Sequence, residues 1–191
     1  MDLKEQLLKT GIDLFSRKSY HATGLREITK KAGVPIGSFH YHFKNKEEFA
    51  LEVLDYFFNT ELKSGSDILF DNTMNSKQKL LSIFKTMIHY HEAKQLQDTK
   101  LSGCVLGVLG QEMSGQSTAI ANKVNAIYSK IIHAIKTLID AGQKDQSLIN
   151  NLDSTVLSAF IFDAYEGALI RRKIENSSAP MNNFIRMLDQ L

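Results

Sequence analysis

Residues 23–49 read TGLREITKKAGVPIGSFHYHFKNKEEF, and the order of glycine, proline and apolar residues in this stretch decides the fold. Leu25, Ile28 and Ala32 recur at helical spacing, with Gly24 as a cap and Glu27 three residues later. Gly33 ends that helix. Pro35 follows after Val34 alone, and it suits a first helical turn because its missing N–H would have no partner there. A third short helix then runs through about Phe43. Two short helices joined by so brief a turn cross steeply, which is the helix-turn-helix arrangement. On the later helix Phe39 and Phe43, four apart, should face a core with Val34 and Ile28. Ile36, Gly37, Ser38, His40, Tyr41 and His42 are then left partly or wholly outward, with Lys44 and Lys46 close behind. Small residues at the helix start allow close approach to a groove, and hydroxyl and imidazole groups can hydrogen-bond phosphates or base edges. An ordinary helical corner would have the same shape.

Outward from this stretch the chain reads as all-helical. Leu3 to Lys18 places Leu8, Ile12 and Phe15 on one face and pairs Glu5 with Lys9 on another. From Lys46 to Lys63 the apolar residues form two stripes, Phe49, Val53, Phe57 and Leu54, Phe58, Leu62, so that helix is packed on more than one side. Further helices are expected at Gln78 to Gln95, about Leu101 to Met113, Ala119 to Gly142, Asp153 to Lys173, and near Met181 to Leu191. The 191 residues are 43% hydrophobic and 23% charged, with 11 Gly, 2 Pro and one Cys. Such a composition is globular and excludes collagenous or extensively disordered chains, and a single Cys excludes an internal disulfide framework. The uncharged run from Leu101 to Gln111 is eleven residues, short of the roughly 20 that a membrane span requires. The N-terminal MDLKEQLLKT lacks the apolar run of a secretory signal, so the cytoplasm is the expected compartment.

Net charge is +2, and it is unevenly placed: residues 1–50 hold 9 Lys and Arg against 6 Asp and Glu, the remainder 14 against 15. The basic excess therefore lies with the helix-turn-helix, a modest attraction for a polyanion. In the later helices Val124, Ile127, Ile131, Ile135 and Leu138 form one stripe. Val156, Phe160, Ala164 and Ala168 form another beside Leu157, Ile161, Tyr165 and Leu169. This exceeds the apolar surface that one small bundle needs, and homodimerisation through a four-helix interface is its natural outlet. Arg171, Arg172 and Lys173 are read as partners of the helix dipole.

Candidate ligand residues are the Met and aromatic residues of the body, namely Met87, Tyr90, Met113, Tyr128, Phe162 and Tyr165, together with Cys104. Plain core packing accounts for the same residue types. Cys104 has two readings. A reactive thiolate needs a depressed pKa and access, yet only Lys100 lies within a turn; a small buried hydrophobe needs neither. His89 and His91, two apart on a helix, point to different sides and make a poor metal pair. No phosphate loop, paired-carboxylate motif or zinc-like spacing occurs, so no cofactor or metal is expected.

The stretch at residues 23–49, with an amphipathic helix before it and a helical body after it, resembles the signature of the TetR/AcrR transcriptional regulators. AGVPIGSFHYHFKNKEEF and the later SGCVLGVLGQEM (residues 102–113) are similar to a branch usually written VPKGSFYHYF with GCLLGN. The resemblance implies a DNA-binding head over residues 1–46 and a ligand-binding and dimerisation body over 47–191. It implies phosphate contacts from His40, Lys46 and the start of the second helix near Gly24, and groove contacts from Ile36, Gly37, Ser38 and Tyr41, with Arg26 and His42 as further candidates. The fourth helix would join head to body. Two positions depart from the pattern. Ile36 stands where the branch commonly has a lysine or another polar residue, and His40 where the family typically has a tyrosine that bonds a phosphate. His40 can still donate a hydrogen bond, whereas Ile36 offers contact with a thymine methyl. The expected partners are double-stranded operator DNA, a small-molecule effector and a second copy of the chain. The expected function is a repressor released by a small-molecule or electrophile signal. Two competing functions are a thiol-dependent enzyme using Cys104 and a helical protein-binding adaptor.

Overall fold

A computed structural model of the chain describes residues 2–62, 66–96, 102–149 and 151–191. Ten α-helices are present among them: α1 (Leu3–Lys18), α2 (Leu25–Ala32), α3 (Ile36–His42), α4 (Lys46–Phe57), α5 (Ser66–Phe70), α6 (Ser76–Leu96), α7 (Val105–Met113), α8 (Thr118–Lys144), α9 (Ser154–Glu175) and α10 (Ala179–Leu188). A π-helical turn, Phe58–Leu62, extends α4. Helix α5 was not anticipated, because five residues are too few to show a period. The helix expected from about Leu101 begins at Val105, with 102–104 non-helical and Leu101 outside the described residues. Lys63, Lys100 and the Leu62 side chain likewise lie outside them.

The chain divides into two compact units, residues 1–61 with 102–127, and residues 62–101 with 128–191. In the first, α1 packs on α2, α3, α4 and α7. Its centre is aromatic: Phe49 lies 4.9 Å from Phe43, 5.2 Å from Phe39 and 5.8 Å from Phe15, ring centre to ring centre. Gly11 makes the crossing of α1 and α4 possible. A Cβ there would sit 2.6 Å from Phe49 Cζ and 2.6 Å from Val53 Cγ2, and both of those side chains are wholly buried. Helix α2 stops at Gly33, whose φ of 69° is the left-handed conformation that closes a helix without a Cβ penalty. Pro35 is the residue before α3 rather than inside its first turn. Helix α4 starts at Asn45, whose side chain accepts the Glu48 N–H at 2.8 Å while the Glu48 carboxylate accepts the Lys44 N–H at 2.7 Å.

In the second unit Phe84 of α6, Tyr165 of α9 and Phe184 of α10 form an aromatic triangle with ring centres 5.0–5.7 Å apart. Seven residues further along each of the first two helices, the Arg172 Nη2 donates to the His91 carbonyl at 3.4 Å. The matching intervals show that α6 and α9 run in the same direction. Arg172 lies in the last turn of α9, but at only 1% exposed it is a core side chain and more than a partner of the helix dipole. It continues the buried stripe Ile161, Tyr165, Leu169, and burial lowers its pKa although Glu92 and Tyr165 favour the cation.

The turn after α8 is held by Asp145, which accepts from Ser76 Oγ at 2.8 Å and from the Ser147 N–H at 2.9 Å. Hydrogen bonds from Ser147 and Ser76 bring its pKa from 3.8 down to about 2. A depressed carboxylate pKa adds stability that is complete above the unfolded value and lost as pH falls through the folded one. The melting temperature of Asp145→Asn should therefore lie below that of the wild type at pH 6, and the gap should close between pH 3.8 and about 2. Melting curves at several pH values test this.

Candidate nucleic-acid interface

Helix α3 divides as its spacing requires. Phe39 is wholly buried, with Val34, Phe43 and Ile28 also inside. Ile36, Gly37, His40 and Tyr41 share the opposite, exposed face at intervals of three and four residues, and Ser38 and His42 are half-buried on its flanks. Tyr41 is 85% exposed and Ile36 45%, large side chains for a surface to leave in water. A Cβ at Gly37 would meet nothing. The helix therefore offers a low step beside a tall ring, a relief that can follow a groove floor. Gly24, at the cap of α2, and Arg26 are exposed. The Glu27 N–H donates to the Gly24 carbonyl at 3.1 Å, while its carboxylate pairs with Lys18 of α1.

Lys46 is held differently from the rest. Its Nζ lies 4.3 Å from the centre of the Tyr20 ring, a cation–π contact. Burial lowers its pKa and the charge of Glu112 opposes that shift. Tyr20 in turn stacks on Phe15, 5.7 Å between ring centres. The residue before it, Ser19, closes α1 with φ 90° and ψ 173°, backbone angles that side-chain-bearing residues rarely adopt. Residues 19–21 converge on the Glu112 carboxylate of α7. The N–H of Tyr20 donates at 2.5 Å, that of His21 at 2.9 Å and the Ser19 hydroxyl at 3.1 Å, with His21 Nδ1 at 2.8 Å. Burial pushes the Glu112 carboxyl up, and the hydrogen bonds from His21, Tyr20 and Ser19 more than reverse this, leaving it below its ordinary value. Other ties join the same unit. The Gly103 N–H donates to the Ser16 carbonyl at 3.0 Å, Ser117 Oγ donates to Glu47, and Lys123 pairs with Asp55 at 2.7 Å. Glu112 was missed by sequence reasoning because its partners lie more than ninety residues away; its place within SGCVLGVLGQEM was the only available signal.

The candidate ligand residues are distributed over both units. Tyr128 and Phe162 meet edge to face, 5.0 Å between ring centres. Tyr165 belongs to the aromatic triangle with Phe84 and Phe184. Met87 and Tyr90 are half-buried on α6. Cys104 and Met113 belong to the other unit, one at each end of α7. Cys104 is 8% exposed and immediately precedes α7 in extended conformation, not within the helix as expected. His91 is buried and His89 exposed, on different sides of α6. Among the described residues no three His, Cys, Asp or Glu side chains gather as a metal site, and no helix is long and apolar enough to cross a membrane.

A short helix-turn-helix whose second helix turns its large side chains to solvent, ahead of a helical body, is the architecture of a DNA-binding regulator. The family model described as bacterial regulatory proteins, tetR family, matches residues 7–53, and that described as tetracyclin repressor-like, C-terminal domain, matches residues 76–188. The chain belongs to the TetR family of transcription regulators. It is similar to the HTH-type transcriptional repressor DhaR of Mycobacterium sp. strain GP1, 26% identical over 97% of this chain and 90% of that protein. The transcriptional regulator AcuR of Cereibacter sphaeroides is 25% identical over 95% of this chain and 81% of its own length. The crystal structure of reduced E. coli NemR has the same fold, with a TM-score of 0.86 over all of this chain and 97% of that one at 23% identity.

Proposed function

We propose that the chain is a cytoplasmic, homodimeric repressor that binds a palindromic operator through α3 and is released when a small molecule or electrophile occupies its body. Residues 1–46 form the DNA-binding segment and 47–191 the ligand-binding and dimerisation segment. The observation that carries this reading is the outward face of α3, where Ile36, Gly37, His40 and Tyr41 lie exposed above a buried Phe39. Tyr41 and Ile36 reach the bases and His40 and Lys46 the phosphates. Arg26, Gly24, Ser38 and His42 line the edges of the contact.

Two heads are needed because one carries little charge. In a dimer the two copies of α3 would enter successive major grooves about 34–36 Å apart. The face for pairing is on α9, where Val156, Phe160, Ile170 and Ile174 are exposed at 68%, 67%, 44% and 77%. Any release requires an effector that binds the DNA-incompatible state more tightly, since equal affinity shifts nothing.

The test is binding to a duplex that the wild-type protein selects from a random-sequence pool. Tyr41→Ala should weaken binding and relax the selected sequence. Lys46→Ala should weaken binding to all duplexes alike and lower the salt slope by about one for each phosphate no longer neutralised. Selection of no duplex, or thiol-dependent turnover in its place, would overturn the reading.

A further inference from the structure

The Glu112 carboxylate gathers the whole turn that leads into α2. Four donors from Ser19, Tyr20 and His21 converge on its two oxygens within 3.1 Å. The turn adopts the unusual Ser19 geometry, φ 90°, and in it both the Tyr20 and the His21 N–H reach one carboxylate. The same turn is bound from the other side by Thr23, whose Oγ1 donates to the Ser19 carbonyl at 2.7 Å and whose N–H donates to the Tyr20 carbonyl at 3.1 Å. Gly24, the cap of α2, is the next residue. The Tyr20 ring, fixed by its neighbouring backbone bond to Glu112, is the seat of the Lys46 ammonium at 4.3 Å. One carboxylate on α7 thus governs both the start of α2 and the support beneath Lys46.

We propose that Glu112 is a positioning residue for operator binding: it holds residues 19–21 in their strained turn, and through that turn it places the α2 start and Lys46 against the DNA phosphates. The inference rests on the reading that these two places contact phosphate. It adds a determinant of DNA affinity that lies on α7, outside the head. Full negative charge and full side-chain length are both required, because four donors must be met across the gap. Glutamine keeps the length but presents a single acceptor oxygen and turns an N–H₂ toward N–H groups.

The experiment compares wild type, Glu112→Gln, Ser19→Gly, Lys46→Ala and the pairwise combinations of Glu112→Gln with the other two. All are titrated against the duplex selected by the wild type, over a series of salt concentrations. Glu112→Gln should bind about tenfold more weakly, the worth of one charge-assisted hydrogen bond, and its salt slope should fall by about one unit. Ser19→Gly should restore most of that affinity, because glycine adopts the turn without strain. The combination with Lys46→Ala should be weaker than Lys46→Ala alone by clearly less than the roughly tenfold that Glu112→Gln costs by itself, since the two share the Lys46 contact and only the α2 start is still to be lost. General destabilisation by Glu112→Gln would lower melting temperature and affinity together and would show no non-additivity with Lys46→Ala. Should Glu112→Gln fail to fold, Glu112→Asp, which shortens the reach, takes its place in the same comparison. Wild-type selection with unchanged affinity and salt slope in Glu112→Gln overturns this inference and leaves the regulator reading standing. Weakening that is additive with Lys46→Ala and not rescued by Ser19→Gly also overturns it. Failure of the wild type to select any duplex overturns both.

Discussion

Phe39→Ala should destabilise the protein by about 3–5 kcal/mol, the range for removing a fully buried ring from a close-packed core, and should abolish DNA binding. Phe39 is the one α3 side chain with no exposed surface, and it rests against both Phe43 and Phe49, 5.2 Å from each ring centre. Its removal opens a cavity at the apolar anchor of a seven-residue helix. Such a helix is too short to persist without tertiary support. Chemical denaturation gives the stability change, and the DNA titration gives the functional loss. Phe39→Leu fills most of the cavity and should recover much of both. A Phe39→Ala variant with wild-type stability would show that α3 is held by something other than this aromatic cluster.

The second large effect is expected at Phe160→Asp, which should convert a dimer to a monomer and lower DNA affinity by about a hundredfold or more. An unpaired carboxylate buried in an apolar interface costs about 3–5 kcal/mol, and a symmetric pair places it there twice. Positions 156, 160, 163, 167, 170 and 174 of α9 are all exposed, and they alternate intervals of four and three residues, the spacing of a seam between two helices. Phe160 is the largest of the four exposed apolar members Val156, Phe160, Ile170 and Ile174, and a carboxylate in its place would face Asp163 one turn away. Sedimentation equilibrium measures the first effect and a binding titration the second. The opposite face of α9 is already packed inside its own unit through Leu157, Ile161, Tyr165 and Leu169, so the thermal stability of the monomeric fold should change little. A variant that remains dimeric at micromolar concentration would exclude this face as the pairing surface.

Local order was legible in the sequence where one physical cause acted alone. Gly33 and Pro35 bracket the turn between α2 and α3, and both do so for backbone reasons that need no distant partner. The division of α3 into Phe39 and Phe43 inside and Tyr41 outside followed from spacing alone. Helix α9 was harder, because it carries apolar residues at two adjacent sets of positions. Periodicity showed both stripes but not that Leu157 and Ile161 face inward while Val156 and Phe160 face water. Arg172 was misread because its charge outweighed its register; counting seven residues on from Tyr165 would have placed it inside. The start of α7 was set too early because the uncharged run from Leu101 was counted as one helix although Ser102 and Gly103 within it are poor helix formers. Glu112 was silent for a different reason: its role consists of donors near residue 20, and no local pattern reports a contact across such a distance in the chain.

Gly11 has a consequence for anyone wishing to redirect this protein to a new DNA sequence. The exposed positions of α3 can be randomised freely, since a Cβ at Gly37 already faces open space. Position 11 cannot join that library. Even alanine there would drive a methyl group into two fully buried side chains and force a shift at the crossing on which the head is built, so clones altered at this site should be depleted from a functional screen whatever sequence they were meant to read.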